Sequence, residues 1–527
     1  MIDFIVALVV FVFILGFLVT LHEFGHFYFA KKAGILCSEF SIGMGPIIYR
    51  VKKGETYWSI RAIPVGGFVS MAGEDMNESL IKVGSTISLQ LENELVTEII
   101  LNENIDGDIQ GEVISRDMYG KDSNDLYIEL NVNGEMIKYN IAEECYYVLS
   151  KNQKVAVAPY DRCFESKTLK ERFLAIIAGP VMNLIIALVL FMMVGLATGV
   201  ATNENVIGSV TTNTAQLYLE EGDVITKIGD YTVDSWDDIG VAMNLLQAQG
   251  ATTIPMVIDR EGEKDKPVNV KATIQILNVG ISNLNLTKDQ DGYVGPGIVL
   301  GSMATGNRAY ESGLREGDVL LSVMYNGEEH YINTWLDAMT FFKSVGDVSA
   351  KVSFNYSRDG VESTTNEVVL YDEATLTKLK APLISYTIGI TATTKFDFIG
   401  GLQNGLILTW ENATMIFTTL GLVLNPSVAI GVSDLSGPIG IFGMVQDYMD
   451  AGFIAILSLV GMLSVNLFIV NLLPFPALDG GRLVFLGVEG VTKKPVNKNV
   501  ENNINFVGFV LLMALMLYIT FQDVLRL

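Results

Sequence analysis

Cysteine is almost missing from this chain of 527 residues. Cys37, Cys145 and Cys163 are too few and too scattered for a disulfide framework or a CxxC pair. Charge is scarce as well: 18% of residues are charged while 50% are hydrophobic, and mean hydropathy is positive. That balance excludes a disordered or collagen-like chain and points to a membrane protein. Basic charge is the scarcer sign, with 35 Lys and Arg against 59 Asp and Glu. The resulting charge of −24 excludes nonspecific nucleic-acid binding, which depends on neutralising phosphates. Histidine is as rare as cysteine, and two of the three, His22 and His26, stand four residues apart. The length suggests about three or four domains.

What is present is a set of long apolar runs. Residues 4–21 carry no charge and end at His22-Glu23. Such a run approaches the ~20 residues that cross a hydrocarbon core of ~30 Å. The start Met1-Ile2-Asp3 has no positive charge and no small-residue cleavage site follows, so a span is expected rather than a signal peptide. Residues 173–200, 453–473 and 506–521 read as three further spans. Residues 402–424 are interrupted by Glu411 and Asn412 and read as an amphipathic helix on or near the membrane surface. Lys31, Lys32, Lys167, Lys170 and Arg172 lie between the first two spans, and Arg482, Lys493, Lys494 and Lys498 between the last two. Residues 201–220 and 433–452 contain no Lys or Arg. The positive-inside rule then puts 31–172 and 474–505 in the cytoplasm, and 201–452 with both termini outside.

Region 201–452 contains a repeat. Glu221-Gly222-Asp223-Val224-Ile225 returns as Glu316-Gly317-Asp318-Val319-Leu320, and each copy is followed by a turn and a Trp, Trp236 and Trp335. Ala309-Tyr310-Glu311-Ser312-Gly313-Leu314 before the second copy resembles the carboxylate-loop side of PDZ domains, which capture extended peptide ends. The first copy has Leu217-Tyr218-Leu219 where the glycine would stand. Recurrence at domain spacing supports a tandem PDZ-like pair, at 205–285 and 290–392. Residues 76–160 hold 15 acidic and 6 basic residues with short β-prone runs, and a small β-rich cytoplasmic insertion is expected there.

His22-Glu23-Phe24-Gly25-His26 is an HExxH motif at the end of the first span. Positions i and i+4 share a helix face, so both imidazoles reach one metal ion while the Glu activates a water. Ionisable residues at membrane depth are costly, which argues against accident. Catalytic zinc usually has three protein ligands and one open position. His330 lies in the second repeat, across the membrane in this topology, and reads as an ordinary surface or turn residue. A carboxylate is the better candidate. Asn471-Leu472-Leu473-Pro474-Phe475-Pro476-Ala477-Leu478-Asp479-Gly480-Gly481 ends the third span. The first and third spans both run outside to inside, so the HExxH motif and Asp479 lie at one depth. A fifth span at 402–424 would reverse the third and strand Asp479 on the other side.

These motifs together resemble the site-2 protease family of intramembrane zinc metalloproteases, in its bacterial RseP type with two PDZ domains. The resemblance rests on HEFGH (22–26), FSIGMGP (40–46), RAIPVGGFVSMAGED (61–75), AGPVMN (178–183), SGPIGI (436–441) and NLLPFPALDGG (471–481). It implies zinc held by His22, His26 and Asp479, with Glu23 as general base. It also implies substrate contacts at Asn471 and Pro474 in the third span and at Asn183 in the second. Gly43, Gly45, Arg61 and Ile63 would belong to a membrane-associated β-loop, whose strand at 61–65 would pair with the substrate. The insertion at 76–160 and the first repeat's loop depart from the family pattern.

The expected architecture is a multi-pass α-helical membrane protein with four transmembrane helices and β-rich inserted domains. In chain order these are a first span at 1–30, a β-loop at 31–75, the insertion at 76–160, and a second span at 173–200. The PDZ-like pair and a helical linker at 400–450 follow, then spans at 453–481 and 503–524. The expected activity is hydrolysis of peptide bonds within or near transmembrane segments of pre-trimmed single-span membrane proteins. The resemblance implies anti-sigma factors or signal-peptide remnants as substrates, an upstream site-1 type protease, and the bacterial cytoplasmic membrane as location. A non-catalytic PDZ-bearing scaffold with a structural metal is the alternative, but such a site needs no base at Glu23. A metal transporter would need a second intramembrane carboxylate cluster.

Overall fold

The computed structural model describes residues 2–73, 81–102, 104–120, 126–150, 153–283, 296–303, 307–424 and 435–526. Glu74 and Asp75 of the quoted motif, the start of the 76–160 insertion, the junction between the repeats and part of the 400–450 linker lie outside these residues. The chain forms two compact units, 1–188 with 444–515 and 189–443 with 516–527.

Among the described residues, five helices are long and apolar enough to cross a membrane: Asp3–Lys32, Leu169–Thr198, Phe398–Val423, Phe453–Leu472 and Lys498–Leu525. The first runs through the HExxH motif without a break, because no proline interrupts it before Lys32. It closes at Gly34, whose φ of +73° is the left-handed conformation that ends helices. Lys31 and Lys32 occupy its last turn, where the helix dipole favours cations.

In the first unit, the strands Cys37–Lys53 and Thr56–Met71 fold on each other. Each strand bends, at Gly43 and Gly45 in one and at Gly66 in the other, all at positive φ. Residues 39–42 therefore pair on one side with 57–60 and on the other with 67–70. The result is a small four-segment sheet whose outer edge is 67–71. Strands between Thr86 and Ser150 build a barrel. Leu95–Ile100 pairs with Thr86–Glu92 and also, in parallel, with Glu135–Ser150, which closes the ring. Closure removes exposed strand edges. Ile87, Leu89, Val96, Ile99, Val113, Ile128 and Leu130 fill the interior. The segment after the barrel ties it to the small sheet, with Leu36 N–H donating to Arg162 O and Phe164 N–H to Ala72 O.

In the second unit, the two repeats share their construction. Val224–Ile228 pairs with Thr253–Arg260, and Val319–Tyr325 with Lys351–Arg358. Helices Trp236–Ala248 and Trp335–Ser344 start with matching capping boxes, Ser235 with Asp238 and Thr334 with Asp337. A buried Asp in each accepts from an Arg at the end of the paired strand: Asp223 from Arg260 and Asp318 from Arg358, at 2.7 Å in both. The same arginines reach the main-chain oxygens of Tyr218 and Gly313. The missing glycine of the first copy therefore leaves this clamp intact. The ends of the region are joined by antiparallel ribbons, Ile207–Val210 with Ile390–Ala392 and Val200–Ala201 with Thr394–Lys395.

The helix Phe398–Val423 covers the segment expected at 402–424 to be a surface helix, and it packs on the end of Leu169–Thr198. A Cβ on Gly195 would strike the oxygen of Gly401, and one on Gly405 would meet the backbone of Met192. Close glycine packing of this kind joins helices within membranes. Glu411, which interrupted the hydropathy pattern, pairs with Lys380 at 2.8 Å.

Candidate metal centre

The first and second helices cross where both carry glycine. A Cβ on Gly25 would overlap the Ala178 carbonyl, and one on Gly179 would overlap the His26 ring. His26 therefore lies in a notch made by the Ala178-Gly179 backbone. Its Nδ1 is 2.8 Å from Ala175 O, an acceptor only, so Nδ1 carries the proton and Nε2 keeps its lone pair.

Asp479 arrives from the third span's end. Leu473 leaves helical geometry ahead of Pro474, as residues before proline do. The chain then turns through Ala477 at φ +72°, whose N–H donates to Asn505 Oδ1 on the last helix. A Cβ on Gly480 would overlap the Leu472–Leu473 backbone, so only glycine lets the next helix, Asp479–Thr492, start this close. Asp479 occupies the first turn of that helix, where carboxylates are favoured.

These elements bring three ligand atoms together. His22 Nε2 and His26 Nε2 are 3.1 Å apart. Asp479 Oδ2 is 3.2 Å from the first and 3.4 Å from the second. Ligand atoms ~2.0–2.1 Å from a tetrahedral zinc stand about 3.3 Å from one another, so the triangle fits that ion. Asp479 Oδ2 is buried with no hydrogen-bond donor of its own. Burying such an atom is costly unless a cation compensates it. Both imidazoles are buried too. Among the described residues this is the one group of three such ligands.

A cavity of about 420 Å³ opens on the triad. Glu23 and Asn471 line it, together with Arg482 and Phe68, Val69, Ser70 and Met71 of the outer strand. Gly67 brings that strand against Glu23: a Cβ there would be 3.3 Å from Glu23 Cγ. Of the expected substrate contacts, Asn471 faces the cavity, while Pro474, Gly43, Gly45, Arg61 and Ile63 do not line it. Arg61 is spent on the sheet, bonded to Glu39 at 2.6 Å and to Gly45 O at 2.9 Å. The segment beside the His22, His26 and Asp479 cluster is 67–71, a few residues beyond the expected 61–65. The Gly66-Gly67 pair in the quoted motif was the available signal, since paired glycines mark a bend and a close approach.

Asn183 stands elsewhere than expected. It is fully buried, its amide nitrogen is 3.1 Å from His22 Nδ1, and its Oδ1 has no partner. With Nε2 turned to the triad, His22 Nδ1 carries a proton and needs an acceptor. A half-turn of the amide presents the unpartnered Oδ1 to that N–H and satisfies both groups. Ser464 Oγ donates to Asn183 O at 2.7 Å and fixes the residue to the third span. Sequence reasoning also missed Gly25, Gly179 and Asn505, whose roles depend on which backbones cross.

A model of peptidase family M50 matches residues 10–515. The chain is 33% identical to the zinc metalloprotease RasP of Bacillus licheniformis, over 99% of each chain. It is 31% identical to the zinc metalloprotease RasP of Shouchella clausii and 31% identical to the regulator of sigma-W protease RasP of Bacillus subtilis, again over 99% of each.

Proposed function

The chain belongs to peptidase family M50, and on that premise we propose that it is an intramembrane zinc endopeptidase centred on His22, His26 and Asp479. The observation that carries this reading is a buried, unpartnered Asp479 Oδ2 beside two histidine Nε2 atoms, with Glu23 in the same cavity. Zinc, when bound, supplies Lewis acidity that polarises the scissile carbonyl and acidifies the attacking water. Glu23 takes the water's proton and returns it to the leaving amine. The outer strand at 67–71 offers its free edge to a substrate made extended, as strand addition does elsewhere. A helical substrate hides its carbonyls in i→i−4 bonds, so it unwinds before this pairing forms. Asn471 contacts the substrate beside the metal, and Asn183 and Ala175 hold the two imidazoles.

The substrates are membrane proteins with a transmembrane segment, of which an anti-sigma factor is one class. The Bacillus subtilis relative, a regulator of sigma-W protease, supports this reading. The contact of Asp479 with both histidines supports four full crossings. The third span must end on the same membrane face as the first, so Phe398–Val423 does not carry the chain through. The distribution of basic residues then puts that face in the cytoplasm and the repeats outside. There the repeats act as PDZ-like modules that hold back substrates with a bulky outer domain until another protease has trimmed them.

Two variants test the site. Glu23→Gln retains zinc, since Glu23 is not a ligand, and loses about 10²–10⁴ in cleavage rate. Asp479→Ala loses both zinc and activity. Metal analysis after dialysis and cleavage of a single-span substrate are the measurements. Wild-type cleavage by Glu23→Gln, or full zinc in Asp479→Ala, overturns the assignment.

A further inference from the structure

A second cavity, of about 760 Å³, lies between the small sheet and the inserted barrel. Ser70 and Met71 line both this cavity and the one on the metal triad. The strand that passes Glu23 at Gly67 ends at Met71, and the turn residues Ala72 and Gly73 carry the chain on along the wall of the second cavity. Gly67 beside Glu23 and Ala72 on the second cavity's wall are five residues apart, and an extended substrate running alongside, at ~3.3 Å per residue, covers that separation in about the same number of residues.

The lining is charged in an unbalanced way. Its two carboxylates are already occupied. Asp117 Oδ1 accepts from the N–H groups of Tyr119 and Gly120, at 2.9 and 2.7 Å. Glu165 pairs with Lys498 and accepts from Tyr119 O–H at 3.1 Å. Its two cations, Lys82 and Arg116, have no ion pair among the described residues, and Arg116 Nε is buried without any acceptor. A buried unsatisfied guanidinium N–H is costly, so an anion that fills it is favoured. The walls are set: Lys52 Nζ donates to Tyr146 Oη at 2.9 Å, and Tyr160 N–H donates to Tyr119 O at 2.8 Å. The first bond joins the sheet to the barrel, and the second ties the segment after the barrel back to Tyr119 on the cavity wall.

We propose that this cavity is a subsite for an acidic side chain of the substrate's cytosol-facing segment, with Arg116 as the residue that selects it. The proposal rests on the protease reading above, because the substrate reaches the cavity along strand 67–71. The insertion then supplies the far wall of an extended substrate channel. An acidic residue about five positions from the scissile bond would be preferred over its amide counterpart.

The test uses the full-length protein in detergent. Two single-span substrates are compared, identical except for Glu or Gln at the cytosolic position that reaches the cavity. A third is truncated before that position. The wild type is expected to cleave the Glu substrate about tenfold faster in kcat/KM than the Gln one. Arg116→Glu abolishes that preference and leaves cleavage of the truncated substrate unchanged. Lys82→Glu, at an exposed position, reduces the preference in the same direction and serves if Arg116→Glu does not fold. Binding of a fluorescent peptide of the Glu-bearing segment to zinc-loaded Glu23→Gln gives a readout apart from turnover, and Arg116→Glu weakens it. Equal cleavage of the Glu and Gln substrates by the wild type overturns the subsite. Equal loss on full and truncated substrates in Arg116→Glu does so too. If the wild type cleaves no substrate at all, the protease reading falls instead.

Discussion

Asn183 shows how much of the candidate metal centre lies outside the three side chains that face one another. Its side chain touches His22 but does not itself line the cavity. Partners of this kind orient an imidazole and fix its tautomer, and losing one typically lowers metal affinity about 10–100-fold. Asn183→Ala should therefore lose zinc to a chelator at a concentration that leaves the wild type loaded, while Asn183→Asp, which keeps an acceptor, should hold it. Equal chelator resistance of Asn183→Ala and wild type would return Asn183 to the substrate-contact role that the motif resemblance implied. His26 needs no such side chain, because the Ala175 carbonyl serves it. That carbonyl is exempt from mutation, which leaves Asn183 as the outer partner open to test.

At the scale of elements, the site depends on helices that approach more closely than side chains allow. Gly25 and Gly179 form the crossing of the first two helices, and His26 fits only because Gly179 has no Cβ. Gly179→Ala should push the His26 ring out of its notch, with a loss of zinc and a destabilisation of about 1–3 kcal/mol, the usual scale of overpacking. Gly421→Ala is the control: that glycine lies in another long helix with nothing among the described residues near its missing Cβ, so the change should be silent. Thermal unfolding and zinc content of both variants decide the matter. If Gly179→Ala keeps zinc and melts like Gly421→Ala, the helices have room to separate and the crossing is looser than the glycine contacts imply. The Gly480 and Gly481 pair follows the same logic, since each would drive a Cβ into the Leu472–Pro476 turn.

For the whole molecule, the ribbons at the base of the repeat region make a clean deletion possible. Thr211 N–H donates to Gly389 O at 2.7 Å, at the end of the Ile207–Val210 ribbon. Replacing 212–388 by a short flexible linker keeps both ribbons and removes both repeats. If the repeats hold back bulky substrates, the shortened protein should cleave an untrimmed substrate that the full chain leaves intact. If they instead recognise the trimmed end, through the Ser312–Gly317 loop, even the trimmed substrate should go uncut. Cleavage assays on trimmed and untrimmed forms of one substrate separate these outcomes, and the second sinks the size-filter reading.

Local spacing and composition were enough for several features. His22 and His26 share a helix face because of their separation alone, the apolar runs mark the long helices, and the Glu-Gly-Asp repeat marks the doubled region. Asp479 was reachable by reasoning on span polarity, which needs charge counts and no contacts. What the sequence left undecided depends on which backbones meet. The outer strand lies at 67–71 rather than 61–65 because the bends at Gly43, Gly45 and Gly66 set where the sheet folds on itself. Glu411 and Asn412 argued for a surface helix at 402–424, and that pattern did not record that a distant Lys380 pairs with Glu411 or that Gly401 and Gly405 pack the helix on another. Asn183 supports His22 only because two helices far apart in sequence cross nearby. Periodicity records which face of one element is apolar. It holds no information on the partner that covers that face, and tertiary packing alone supplies that.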